Sequence, residues 1–195
     1  MKKIKTIFER NWEGDRTVID KYIPEITSEV LAYDKTIKAT EKLDGMNVRI
    51  TVRNHTVVRA EKRRNPDKIQ KHKGIEEPWY VDAYEAEPGD KYIFDGIKNT
   101  DCSQIPDGEW SGELVGKNIQ GNPLNLDKNI VVFFSLGQAP VFDDVPTTYG
   151  ELKEWLPKQK SKLGNDCGIE GIVWHCGNGE MFKIKIKDFI KDNRR

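Results

Sequence analysis

The sequence predicts an α+β fold in one domain, built mostly from antiparallel sheet with flanking helices. Three observations carry that prediction. Several segments alternate apolar and polar residues with period two across short polar turns, one segment has helical spacing, and no Gly/Ser/Pro-rich linker is long enough to separate a pair of domains. The chain has 195 residues, 36% hydrophobic and 33% charged, which fills a core under a heavily solvated surface and excludes disorder, collagen and coiled coil. No run reaches the roughly 18 consecutive apolar residues of a membrane span, and no apolar h-region follows the lysines of MKKIKTIFERNWEG. The expectation is an intracellular, cytoplasmic chain with no membrane partner. Cys102, Cys167 and Cys176 are too few and too scattered for a disulfide framework.

Residues 1–38 hold neither period long enough to define an element. The region 37–60 reads as a strand followed by a hairpin: MNVRITVR alternates, Asn54-His55 is a polar turn, and Val57 and Val58 begin the return strand. Asp95-Gly96 and Asp107-Gly108 read as turns. GEWSGELVG and IVVFFSL are further strands, the second apolar on both faces, and GKNIQGNPLN between them is loop. A helix is expected near 149–156, where Thr148 and Glu151 have capping-box spacing, Leu152, Trp155 and Leu156 share a face, and Pro157 stops it. IEGIVWH and MFKIKIK form a closing hairpin across Cys176-Gly177-Asn178-Gly179, where Asn-Gly supplies positive φ angles.

The formal net charge is zero, from 32 basic and 32 acidic residues, so bulk attraction does not point to nucleic acid. Distribution does more. Residues 59–73 carry a net +5 and residues 183–195 a net +4, while 75–109 hold ten acids against Lys91 and Lys98. Two basic patches on an acidic body suit a local polyanion site, although such runs are commonly only solvated faces.

In MFKIKIK, alternation sets Phe182, Ile184 and Ile186 on one face and Lys183, Lys185 and Lys187 on the other. Ammonium groups spaced about 6.5–7 Å along a strand can converge on one phosphate; a lysine-protected edge strand is the plainer alternative. Upstream, Glu41-Lys42-Leu43-Asp44-Gly45 holds a lysine where a strand meets a turn, with a glycine that permits close backbone approach. By itself K-x-D-G is weak. Glu113 lies 71 residues after Lys42, Glu170 lies 128 after it, and Lys183 and Lys185 follow Glu170 at 13 and 15. His175-Cys176 resembles half of a metal site, but no set of four ligands is evident and a packed strand pair is the preferred reading.

The ordered set KLDG, SGELVG, EGIV and KIK resembles motifs I, III, IV and V of the covalent nucleotidyltransferases, the superfamily of ATP-dependent DNA and RNA ligases and capping guanylyltransferases. GKNIQGNP and EGIVWHCGNGEMFKIK are similar to segments of the small vertebrate-type 5′-to-3′ RNA ligases. The resemblance implies one nucleotidyltransferase (adenylation) domain around an ATP cleft, with no appended C-terminal or OB domain. It implies that Lys42 attacks the α-phosphate of ATP, with Lys183 and Lys185 favouring the neutral amine and stabilising transition-state charge. Glu170 and Glu113 would serve Mg²⁺ or Mn²⁺. Glu41, Asp44, Gly45 and Asn47 would belong to the ATP site, together with Arg64 as first choice and Arg63 as second for motif Ia, Arg59 remaining open. Phe133 or Phe134 would stack on adenine, an ordinary core role for both being equally open. The function implied is sealing of RNA with 5′-phosphate and 3′-hydroxyl ends, a repair reaction in which an end-healing partner protein is conceivable. The alternatives are a GTP-dependent capping guanylyltransferase and a non-catalytic sensor of RNA ends or nucleotides.

Overall fold

The computed structural model describes residues 3–33 and 36–191, so Arg194 and Arg195 of the second basic patch lie outside the described residues. In chain order the strands and helices are β1 (Lys5–Thr6), β2 (Phe8–Arg10), β3 (Val18–Tyr22), α1 (Ser28–Tyr33), β4 (Lys38–Glu41), β5 (Met46–Arg53), β6 (Thr56–Arg64) and α2 (Lys68–His72). They continue with β7 (Trp79–Asp82), α3 (Lys91–Lys98), β8 (Gly108–Val115), β9 (Ile130–Phe133), α4 (Tyr149–Trp155), β10 (Gly171–His175) and β11 (Met181–Lys185). Short 3-10 turns follow α4 and β11, at Leu156–Lys158 and Ile186–Phe189. The mixed, mostly antiparallel architecture matches the expected α+β class. Among the described residues no helix is long and apolar enough to cross a membrane.

The described residues form two compact units, a central one of residues 44–139 with Lys3 and a terminal one drawn from 4–43 and 140–191. In the central unit, five antiparallel strands run in the order β7-β6-β5-β8-β9. Val48, Ile50 and Val52 of β5 and Leu114 of β8 are completely buried, and pack with Val131, Phe133 and Ile93 of α3. The β5–β6 turn at Asn54-His55 has positive φ at both residues, as a two-residue hairpin demands. Asp95-Gly96 is not a turn but the middle of α3, because Gly96 faces the sheet and a Cβ there would lie 2.3 Å from Leu114 Cδ1. Here the glycine serves helix-to-sheet packing, which a local turn signal cannot distinguish.

The terminal unit holds a four-stranded sheet, β1-β11-β10-β4, parallel only between β1 and β11, and a β2–β3 hairpin. Ile172 and Trp174 of β10 and Phe182 and Ile184 of β11 point into a core shared with Ile7, Phe8, Leu152 and Leu156. Three local expectations change. The last strand ends at Lys185 rather than Lys187, since Ile186 enters a 3-10 turn. In the β10–β11 turn only Gly179 takes positive φ; its amide donates to the Cys176 carbonyl and Asn178 stays out of that region. The α4 cap is not the expected box, because Thr148 Oγ1 donates to Glu151 Oε2 at 2.6 Å and makes no cap bond to the helix amides. A hydroxyl-to-carboxylate bond is charge-assisted and outcompetes the amide.

Candidate active site

The terminal unit brings Lys42, Glu170 and Lys185 together. Register pairs Ile172 with Glu41 and Gly171 with Lys185, and the Lys42 amide continues the ladder to the Gly171 carbonyl at 2.9 Å. Lys42, Gly171 and Lys185 thus form one row across three strands, with the residue lacking a side chain in the middle. Gly171 is required there: a Cβ would lie 2.1 Å from the Ile184 carbonyl oxygen and 2.8 Å from Lys185 Cα.

Glu170 sits at the edge of that row and is shared. Its Oε2 accepts Lys42 Nζ at 2.5 Å, and its Oε1 lies 3.8 Å from Lys185 Nζ and 3.6 Å from Lys187 Nζ. Three ammonium groups around one carboxylate leave a surplus of positive charge that fits phosphate oxygens. Burial pushes the Lys185 ammonium below the ordinary lysine range, Lys187 and Lys42 add to the effect, and Asp188 and Glu170 oppose it. Lys183 is partly buried on the same face, opposite Val173 and Thr6. With β1 on its far side β11 is an interior strand, so edge protection does not explain its lysines.

Glu41, next to Lys42, points to the other face and is 2% exposed. Its carboxylate accepts Ser161 Oγ at 2.5 Å and the Lys162 amide at 2.9 Å, fastening the loop after α4 behind the lysine. His175 Nε2 lies 2.9 Å from Thr40 Oγ1, and burial lowers its pKa.

The remaining candidates belong to the central unit. Register places Asn47, Arg63, Tyr80 and Glu113 on the polar face of the five-stranded sheet and Arg64 on the opposite one, so Arg63 replaces Arg64 as the arginine sharing a face with Asn47 and Glu113. Asn47 is held by Tyr80, whose hydroxyl donates to Oδ1 at 2.7 Å, and its Nδ2 donates to the Gly112 carbonyl at 3.3 Å. Arg59 is committed to Asp82 and Glu61 at 2.6 and 3.2 Å. Phe133 is fully buried in the core, whereas Phe134 stays partly exposed with its amide on the Ser111 carbonyl. Gly45 admits β8, since a Cβ there would meet the Leu114 carbonyl at 2.2 Å. Asp44 is partly exposed at the unit boundary.

Sequence reading set Lys187 on the lysine face of the last strand without placing it at Glu170, and did not single out Tyr80 or Ser161. Lys187 had a signal, the third lysine of K-x-K-x-K; Tyr80 and Ser161 are visible only once register and loop closure are known.

For a divalent cation, Glu170 supplies hard carboxylate oxygens, and among the described residues no group of three or more His, Cys, Asp or Glu could hold an ion by itself. That donor set fits Mg²⁺ or Mn²⁺ taking its other ligands from substrate phosphates and water.

A family model described as RNA ligase 1 matches residues 96–189. RNA ligase 1 of Rattus norvegicus is 35% identical over 79 residues, 39% of this chain and 23% of that protein, and the Danio rerio protein is 30% identical over the same length and shares. The chain therefore covers less than a quarter of the length of these relatives. An apo mutant of a Naegleria gruberi RNA ligase shares the fold at a TM-score of 0.52 and 14% identity, covering 95% of this chain and 61% of that one. A mutant of the Naegleria gruberi RNA ligase with ATP and Mn gives 0.51 at 14% identity, covering 93% and 59%. By sequence this chain is similar to the vertebrate RNA ligase 1 proteins over part of its length, and by fold it is similar to the Naegleria gruberi RNA ligases.

Proposed function

We propose that this chain carries the nucleotidyl-transfer chemistry of an ATP-dependent RNA ligase that joins 5′-phosphate and 3′-hydroxyl ends. The observation that carries the proposal is the convergence of Lys42, Lys185 and Lys187 on the single carboxylate of Glu170. Lys42 is the nucleophile. Its amine forms a P–N bond to the α-phosphorus of ATP as the bond to pyrophosphate breaks, and Glu170 Oε2 is the proton acceptor within reach of the departing ammonium proton. Lys185 balances the charge of the transferring phosphoryl group. AMP then passes from Lys42 to the RNA 5′-phosphate, and the 3′-hydroxyl displaces AMP to seal the strand.

Each step is an in-line displacement at phosphorus, which one set of fixed cations can serve three times. Mg²⁺ or Mn²⁺ on Glu170 would add neutralisation of phosphate charge. For Asn47, Arg63, Glu113 and Phe134 of the central unit, a nucleotide-contacting role is what the motif resemblance implies. The RNA ligases with ATP and Mn support ATP as substrate, and the net +5 of residues 59–73 suits an RNA backbone grip that weakens as salt rises.

Incubation with α-labelled ATP or GTP and Mg²⁺ tests the reading. A covalent, acid-labile label from ATP alone is the expected result. Label from GTP alone would point to capping chemistry, and tight ATP binding without label to a sensor; either would overturn it.

A further inference from the structure

The third lysine of the closing segment carries an inference that rests on the ligase reading and goes past it. On a straight strand Lys187 would stand about 6.5–7 Å beyond Lys185. Instead the chain tightens into the 3-10 turn Ile186–Phe189, and Lys187 Nζ comes back to 3.6 Å from Glu170 Oε1, as near as Lys185 at 3.8 Å. The turn starts on the same residue it serves, since the Ile186 amide donates to the Glu170 carbonyl at 3.0 Å.

A buried carboxylate and a half-buried guanidinium fix its course. Asp188 is 3% exposed; its Oδ2 accepts the Lys185 amide at 2.9 Å and its Oδ1 accepts Arg10 Nη2 at 2.5 Å. Arg10 in turn donates Nη1 to the Arg16 carbonyl at 2.8 Å, so the guanidinium spans from the β2–β3 loop to the lysine turn. A carboxylate buried this deeply persists only when paired, and the pairing holds the turn against a strand from the other end of the chain.

We propose that Lys187 is a third phosphate-binding residue of the site and that the Arg10–Asp188 pair positions it. The side chains of Lys42 and Lys185 are 20% and 16% exposed, whereas Lys187 is 60% exposed and is the outermost cation on Glu170. It meets a phosphate oxyanion that arrives from solvent. Two substrates of the proposed reaction present one: the polyphosphate tail of ATP and the 5′-phosphate of RNA.

The test separates the two steps under single turnover. One arm follows label from α-labelled ATP onto Lys42; the other follows transfer from isolated adenylylated protein to a 5′-phosphorylated RNA oligonucleotide. Lys187→Ala slows one arm by about tenfold, the scale of an exposed charge-assisted contact, and Lys187→Arg retains most of the rate. Loss in the ATP arm identifies the polyphosphate, and loss in the RNA arm the 5′-phosphate. Asp188→Asn keeps an acceptor for the Lys185 amide but removes the charge opposite Arg10, and it produces a smaller loss in the same arm.

A Lys187→Ala protein equal to wild type in both arms would overturn the inference. Reductive methylation followed by mass spectrometry gives a readout independent of activity. Pyrophosphate or the 5′-phosphorylated oligonucleotide protects Lys187 in the wild-type protein, and protection by neither overturns the inference. Wild-type protein that shows such protection but takes no label from ATP would sink the ligase reading and leave the phosphate site standing.

Discussion

Two clusters of ionised side chains, one in each unit, use similar groups in opposite balance. In the terminal unit, Lys42, Lys185 and Lys187 share Glu170, three cations on one anion. On the polar face of the central sheet, Arg49 and Arg59 share Glu61, Asp82 and Glu109. Arg49 grips Glu61 with two parallel bonds of 2.6 and 2.7 Å and stacks 4.5 Å from the Tyr80 ring centroid, so both its charge and its flat face are used. The second cluster sets two cations against three carboxylates and leaves no positive charge in surplus. The first holds more positive charge than its own residues neutralise, with two of its three lysines half-buried, and such a surplus marks a place where an anion belongs.

The largest expected effect falls on the unbalanced cluster. Lys42→Ala lowers self-labelling from ATP by at least about a thousandfold, because no other group can take the nucleophile's place. Folding survives, since Glu170 keeps Lys185 and Lys187 as partners. Thermal melting of the variant checks the second half. Retained labelling in a folded variant would remove Lys42 from its role.

In the arginine cluster of the central unit the outcome inverts. Arg49→Met leaves Glu61, 1% exposed, with Arg59 as its remaining partner at 3.2 Å, and unfolding in urea should show a loss of about 2–3 kcal/mol. Replacing both members, Arg49→Met with Glu61→Leu, recovers most of it, because a buried ion pair exchanged for packed apolar groups is close to neutral. A double variant as unstable as the single one would mean that the pair does more than satisfy itself.

A smaller effect distinguishes the clusters by pH. Lys185 is held below its ordinary value of 10.5, so its charged form costs stability wherever the folded protein still carries that proton. Between the folded pKa and 10.5 the unfolded chain binds more protons than the folded one, and stability rises with pH through that window. Lys185→Met should therefore melt higher than wild type at neutral pH, with the gap narrowing on the alkaline side, while nucleotidyl transfer slows. A gap that does not change with pH would trace the gain to packing instead.

How far these clusters were legible in the sequence follows from the range of the interactions that build them. The β5–β6 hairpin was readable because period-two alternation and a turn with two positive φ angles are local properties. The motif order from Lys42 to Lys185 also marked residues that the fold brings to one carboxylate. The return of Lys187 to Glu170 was not readable, because its turn is pinned by an arginine 178 residues from Asp188. Arg63 and Arg64 are adjacent in sequence, and only the pairing of Arg63 with Tyr80 sets which of them faces Asn47. The first strands escaped notice because β1 has two residues and the β2–β3 pairing shifts register between Phe8 and Arg10, too short and too irregular to hold a period. Gly96 misled for a similar reason, its value lying in a contact with β8 rather than in its own backbone.

The smallest effect lies at the rim of the arginine cluster. Glu109 meets Arg49 Nη1 at 3.3 Å with half of its side chain in solvent, 49% exposed. A pair in that setting is screened by water and salt and contributes about 0–0.5 kcal/mol. Glu109→Gln should leave the urea midpoint nearly unchanged, with any difference vanishing at high salt. The contrast with Arg49→Met then measures what the buried pair with Glu61 and the Tyr80 stack add beyond the exposed contact on the same guanidinium. If Glu109→Gln destabilised the protein as much as Arg49→Met, the two carboxylates would be acting as one network, and the polar face would carry a coupling that the exposure of Glu109 does not predict.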